Sequence, residues 1–129
     1  MKIEHLAIWV KDLEKMKFFY QKYFNAKSND LYINTSKNFR SYFLSFESGC
    51  RLELMHKPEI PDNLNNPEKQ NTGLIHFAVS VGNKEKVEEL TEQIRTDNYQ
   101  IVGEPRTTGD GYYESVVLDP EGNRIEITI

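Results

Sequence analysis

Ile3-Glu4-His5-Leu6-Ala7-Ile8-Trp9-Val10 and Leu74-Ile75-His76-Phe77-Ala78-Val79-Ser80-Val81 decide the fold, because they read as one strand-like segment written twice. Each alternates at a period of two, and each is followed by a helix-like stretch. A second match comes later in the same order: Gly49-Cys50-Arg51-Leu52-Glu53-Leu54 against Gly122-Asn123-Arg124-Ile125-Glu126-Ile127. His5 and His76 lie 71 residues apart, and Glu53 and Glu126 lie 73 apart. Near-equal offsets in two ordered matches indicate two copies of one supersecondary unit.

Outward from these anchors, each unit reads as strand, helix and three strands. Asp12 is the expected cap of a helix with Leu13, Met16, Phe19, Tyr20 and Tyr23 at three- and four-residue spacing, and Asn25 its expected stop. Strand-like runs follow near 31–34, 41–47 and 51–56. In the second copy Asn83 caps a helix striped by Val87, Leu90 and Ile94, with strands near 100–105, 112–118 and 124–129. Asp119-Pro120-Glu121-Gly122-Asn123 is a hairpin signal, since Pro presets φ while Gly and Asn tolerate positive φ. Residues 57–73, with Pro58, Pro61 and Pro67, read as a polar linker. The expectation is an α+β protein: a single domain over 1–129, made of module 1–56, linker 57–73 and module 74–129. Each module would be one βαβββ unit.

Parity assigns faces, because side chains alternate along a strand. Leu6, Ile8 and Val10 oppose His5, Ala7 and Trp9; Ile75, Phe77, Val79 and Val81 oppose His76, Ala78 and Ser80. Leu52 and Leu54 oppose Glu53, while Ile125, Ile127 and Ile129 oppose Glu126. If helices cover the apolar faces, His5, Glu53, His76 and Glu126 project from the other side. Two imidazoles and two carboxylates can supply four ligands to one divalent ion, with two octahedral positions left for water or substrate. A lone strand histidine or glutamate is ordinarily structural or solvated; repetition of the pair in the same parity is what points to a site. His56 has no counterpart in the second module and reads as a surface residue. Cys50 matches Asn123 in a turn and reads as an exposed turn residue.

Composition narrows the class. The chain has 129 residues, with 16 Lys+Arg against 20 Asp+Glu and a formal net charge of −4, so the basic excess of a sequence-independent nucleic-acid binder is missing. One cysteine precludes an internal disulfide. No apolar run approaches the roughly 18 residues of a membrane span, and the first residues lack the pattern of a signal peptide. A cytoplasmic protein that binds neither nucleic acid nor membrane is expected.

From Ile3 to Ile129 the sequence resembles the vicinal-oxygen-chelate superfamily, which includes glyoxalase I, methylmalonyl-CoA epimerase, fosfomycin-resistance enzymes, extradiol dioxygenases and bleomycin-binding proteins. The resemblance rests on His5, Val10-Lys11-Asp12-Leu13, Phe18-Phe19-Tyr20, Arg51-Leu52-Glu53, His76-Phe77-Ala78-Val79 and, most specifically, Asp119-Pro120-Glu121-Gly122-Asn123-Arg124-Ile125-Glu126. It implies two tandem βαβββ modules forming a cupped mixed sheet around a metal, often with a dimer completing the cleft. It also implies His5, Glu53, His76 and Glu126 as ligands, in the manner of glyoxalase I. The ion would be one of Zn, Ni, Co, Mn or Fe. Glu126 is then the favoured catalytic base and Glu53 its possible partner, in lyase or isomerase chemistry through a metal-stabilised enediolate.

The pattern departs from glyoxalase I at Trp9, where that enzyme commonly has arginine, and at His56-Lys57, where it tends to have asparagine. Both departures count against a glutathione-linked substrate, and Trp9 favours a flatter or more apolar one. Trp9, Phe39, Arg40, Tyr112 and Tyr113 are the candidate substrate-binding residues, with Arg106 a further cation for an anionic group. The leading expectation is a metal-dependent homodimeric enzyme acting on a small α-hydroxycarbonyl or hemithioacetal-like substrate. The alternatives are a non-catalytic or resistance-type small-molecule binder of the same fold, and a metal-dependent dioxygenase or thiol transferase.

Overall fold

The structure, a computed structural model, describes residues 1–129. It divides into two compact units, Met1–Asp62 and Asn63–Ile129. The first runs β1 (His5–Trp9), α1 (Leu13–Phe24), β2 (Lys27–Ser28), β3 (Tyr32–Asn34), a 3-10 turn at Thr35–Lys37, β4 (Phe39–Ser45) and β5 (Arg51–His56). The second runs β6 (His76–Ser80), α2 (Lys84–Thr96), β7 (Ile101–Thr107), β8 (Tyr113–Leu118) and β9 (Arg124–Thr128). The protein is α+β, and its two units repeat one plan.

Each unit has its own mixed sheet. In the first the order is β1-β5-β4-β2, with β3 also on β4; in the second it is β6-β9-β8-β7. The first and last strands of each unit pair parallel, and the long connection between them, which includes the helix, makes that possible. The registers superpose. His5 stands opposite Arg51 and Ala7 opposite Glu53; His76 stands opposite Arg124 and Ala78 opposite Glu126. This equivalence makes the repeat a structural one.

Both helices start where a side chain replaces a missing backbone partner. Asp12 accepts from the Lys15 N–H and Asn83 from the Lys86 N–H, at 3.0 and 2.9 Å. α1 ends at Asn25 in the left-handed region, φ 53°, a conformation asparagine tolerates. Its buried stripe is Leu13, Met16, Phe19, Tyr20, Tyr23 and Phe24, and Tyr42, Leu44, Leu52 and Leu54 are buried on the strands of the same unit. The edge of this sheet is broken, with β2 a two-residue strand absent from the sequence reading. The physical cause is Asn29, whose side-chain oxygen takes the Phe43 N–H at 2.8 Å and so diverts a ladder donor.

α2 buries Val87, Thr91 and Ile94, while Leu90 of the expected stripe is only half-buried. Thr91 holds that place by hydrogen bonding. Its Oγ1 donates to the Val87 carbonyl at 2.6 Å, so its single proton is committed, and Ser115 Oγ must donate to it across 2.6 Å. Both residues are essentially inaccessible. Thr91→Val should therefore destabilise by about 1–3 kcal/mol, by leaving the Ser115 hydroxyl without its acceptor. The Thr91→Val/Ser115→Ala double variant should recover much of that loss, a comparison made by urea titration.

His56, expected at the surface, is half-buried, and its Nδ1–H donates to the Val10 carbonyl at 2.9 Å. It thus joins the end of β5 to the end of β1. Cys50 is a free, half-buried thiol. No helix is long and apolar enough to cross a membrane.

Candidate metal centre

In each unit the helix sets which face of the sheet carries the polar groups. His5, Ala7 and Trp9 are exposed on β1 while Leu6 and Ile8 are half-covered; His76, Ala78 and Ser80 repeat this on β6. Glu53 lies between the buried Leu52 and Leu54, and Glu126 between the buried Ile125 and Ile127. In either unit the histidine and the glutamate therefore lie on the face away from the helix, two register positions apart on adjacent parallel strands. The alanine opposite each glutamate is too small to separate them.

Two His–Glu pairs result. His5 Nε2 lies 3.8 Å from Glu53 Oε2, and His76 Nε2 lies 3.3 Å from Glu126 Oε1. The glutamates are the more enclosed members, with side chains 13% and 19% exposed. Donors bound to one ion at about 2.0–2.2 Å stand about 2.8–3.1 Å apart when adjacent in an octahedron and about 3.3–3.6 Å apart in a tetrahedron. The second pair matches the tetrahedral separation, and the first is wider than either. The donor set of imidazole nitrogen and carboxylate oxygen suits Zn, Ni, Co, Mn or Fe. No third His, Cys, Asp or Glu joins either pair to make a group that could hold an ion.

The turn before β9 places Glu126. Asp119, almost fully buried, accepts from the Glu121 and Asn123 N–H groups at 2.9 Å each and from Asn123 Nδ2 at 2.8 Å. Gly122 takes φ 84° to close it, and Gly49 takes φ 85° before β5.

Sequence reasoning missed two residues here. Glu4 accepts from His5 Nδ1 at 2.5 Å, and Arg51 Nε donates to its other oxygen at 2.8 Å. The His5 hydrogen bond, with help from Arg51, holds the Glu4 carboxyl below the usual carboxylate range. Glu114 on β8 lies opposite Thr128, two places along from the Val116–Glu126 pair. Burial pushes its carboxyl up, the Glu126 charge and that of Asp110 push the same way, and Arg106 and His76 oppose them. Arg106 Nη2 lies 3.6 Å from Glu114 Oε1, which gives Arg106 a partner within the protein. The parity of Glu114 with Val116 was the available signal. For Glu4 the signal was adjacency to His5.

A carboxyl raised on folding binds its proton more tightly in the native state. It therefore weakens stability as pH climbs from the ordinary carboxylate range through the native value. Glu114→Gln removes that loss. The melting temperature of the variant relative to wild type should rise between pH 4 and pH 7 in metal-free protein.

Of the candidate substrate residues, Trp9 is 41% exposed and meets Phe39 edge to face, with ring centroids 6.1 Å apart. Phe39 meets Tyr32 at the same separation, which makes a three-ring cluster along the first unit. Arg40 has the parity of Tyr42 and Leu44, so it belongs to the helix side of its sheet. Tyr113 also turns to the helix side: its hydroxyl donates to Glu88 at 2.6 Å and Lys84 stands 4.4 Å over its ring. Tyr112 is exposed in the 108–112 loop. Within the first unit the structure thus brings Trp9 and Phe39 together and puts Arg40 on the other face of the sheet.

Comparison with known proteins supplies a family. The pattern described as Glyoxalase/Bleomycin resistance protein/Dioxygenase superfamily matches residues 2–127. No curated protein matches the sequence. Among solved structures, glyoxalase I from Zea mays is similar with a TM-score of 0.79 and 22% identity, over 98% of this chain and 44% of that one. The chain thus spans less than half of the maize protein. The trypanothione-dependent glyoxalase I of Leishmania major gives 0.76 and 23%, over 99% of this chain and 86% of that one. A glyoxalase family protein from Enterococcus faecalis gives 0.79 and 21%, over 99% and 97%. At these identities the likeness concerns the fold.

Proposed function

This chain belongs to the Glyoxalase/Bleomycin resistance protein/Dioxygenase superfamily, and from that membership we propose that it is a divalent-metal-dependent lyase or isomerase acting on a small α-hydroxycarbonyl or hemithioacetal-like substrate. The observation that carries the reading is the repeated His–Glu pair, in one register and on the face away from the helix in both units. A complete set of His5, Glu53, His76 and Glu126 takes one pair from each unit, supplied by one chain or by two. A homodimer fits this reading, because β1 and β6, which carry the histidines, are edge strands of their sheets. The protein would work in the cytoplasm.

When bound, the ion would supply Lewis-acid polarisation of adjacent substrate oxygens. The chain's own residues do the rest. Glu126 takes the proton from the carbon next to the polarised carbonyl and returns it to the neighbouring carbon, with Glu53 able to serve the opposite side. Partial enclosure of both carboxylates limits competing water. Trp9 and Phe39 offer an apolar aromatic surface to the rest of the substrate.

The test is turnover. Protein stripped of metal and reloaded with each candidate ion is to be assayed on hemithioacetals and epimerisable thioesters. Ion-dependent turnover of at least one class is expected. Oxygen uptake or thiol consumption instead would point to the dioxygenase or transferase alternatives. The exposed Trp9–Phe39–Tyr32 cluster favours one second reading, a binder that sequesters an aromatic ligand. Its mark is a stoichiometric ligand complex with no turnover under any ion.

A further inference from the structure

The two His–Glu pairs share a register but not their surroundings. In the first unit Glu4 bridges two groups: Oε2 meets His5 Nδ1 at 2.5 Å, and Oε1 accepts from Arg51 Nε and Nη2 at 2.8 and 2.5 Å. Arg51 is itself fixed. It lies opposite His5 in the parallel ladder, its N–H donates to the Glu4 carbonyl at 3.0 Å, and its guanidinium stands 4.1 Å over the Phe43 ring. Phe43 in turn meets the His5 ring edge-on at 5.3 Å. Phe43 and the Arg51-held Glu4 thus flank the imidazole, and Nε2 is left facing Glu53.

The second unit has the same arginine and lacks the same carboxylate. Ile75 precedes His76 where Glu4 precedes His5, and Val116 stands opposite Glu126 where Phe43 stands opposite Glu53. Arg124 donates instead to the Pro67 carbonyl at 2.9 Å.

We propose that Glu4, clamped by Arg51, is a positioning residue that keeps the His5 proton on Nδ1 and so directs the Nε2 lone pair toward Glu53, and that His76 has no such support. A carboxylate can only accept, so the hydrogen bond places the proton on Nδ1, and a neutral imidazole then has its lone pair on Nε2. Such an outer carboxylate fixes ring orientation and strengthens the nitrogen donor. The two half-sites of the proposed centre are therefore unequal, the first being pre-set by an outer carboxylate and the second having Ile75 in that place. This inference rests on the proposed function for its consequence, but not for the placement of the proton.

The experiment is 15N NMR of the imidazoles in metal-free protein at pH 8, for wild type, Glu4→Gln and Glu4→Asp, with His76 as internal reference. Wild type should show His5 protonated on Nδ1. In Glu4→Gln that population should shift toward Nε2 while His76 stays unchanged, and Glu4→Asp should restore it in part. Titration with Co2+ alone should then show about 10–100-fold weaker binding in Glu4→Gln. A merely structural glutamate would not move the tautomer in a folded protein. An unchanged His5 tautomer in Glu4→Gln overturns the inference and leaves the proposed function standing. A shifted tautomer in a protein that binds no metal upholds it and overturns the proposed function alone.

Discussion

Glu126→Gln is expected to lower kcat by about 10²–10⁴-fold while the metal content of the protein stays near that of wild type. The glutamine is nearly isosteric and its carbonyl oxygen can remain a ligand, so the substitution removes proton acceptance more than it removes binding. A positioned general base contributes rate enhancements of that order. Glu126 is well placed to act as that base. It lies on a central strand between β6 and β8, its side chain is 19% exposed, and its carboxylate is 3.3 Å from His76 Nε2. Its backbone is also well determined, since the Asp119 turn sets where β9 begins. Parallel measurement of metal content and single-turnover rate checks the expectation. Unchanged turnover would move the base elsewhere, with Glu53 the next group to replace. A stoichiometric ligand complex without turnover, unaffected by Glu126→Gln, would favour the binding-protein reading.

The second large effect concerns stability. Phe19→Ala should cost about 3–5 kcal/mol, a large share of the roughly 5–15 kcal/mol available to an ordinary domain. Phe19 is fully buried, with its ring centroid 5.4 Å from Tyr20, 4.9 Å from Tyr23 and 6.0 Å from Phe24. Three rings cannot all collapse into the space of a missing fourth, so a cavity remains and dispersion contacts are lost with it. The adjacent Phe18 is 58% exposed, and Phe18→Ala should stay within about 0.5 kcal/mol. Denaturant midpoints at constant m separate the two variants. A small loss for Phe19→Ala would mean that the α1 stripe is not the core of its unit.

Much of this was legible in the sequence because the signal was periodic and repeated. The period of two in residues 3–10 and 74–81 gave the faces, and the second match picked out the strands that carry Glu53 and Glu126, though not their pairing with β1 and β6. The caps Asp12 and Asn83 and the stop at Asn25 were readable because each is a local hydrogen-bonding or φ requirement. What stayed hidden depends on partners distant in the chain. Thr91 replaces Leu90 in the core only because Ser115 meets it, and β2 is cut short because Asn29 captures the Phe43 N–H. Arg40 and Tyr113 attract attention by residue type, but type does not fix a face, and both lie on the helix side. Glu114 sits in a run whose alternation is interrupted by two aromatics and a serine. The role of Glu4 emerges only once Arg51 and Phe43 are seen beside it.

In the proposed function His5 and His76 anchor one specific divalent ion. Elemental analysis of metal per protomer tests it most directly, on wild type stripped and reloaded with Zn, Ni, Co, Mn or Fe and on the His5→Ala/His76→Ala double variant treated alike. Near-stoichiometric metal in wild type and little in a folded double variant is the predicted result. No specific metal under any loading condition, or equal metal in both proteins, would contradict the account.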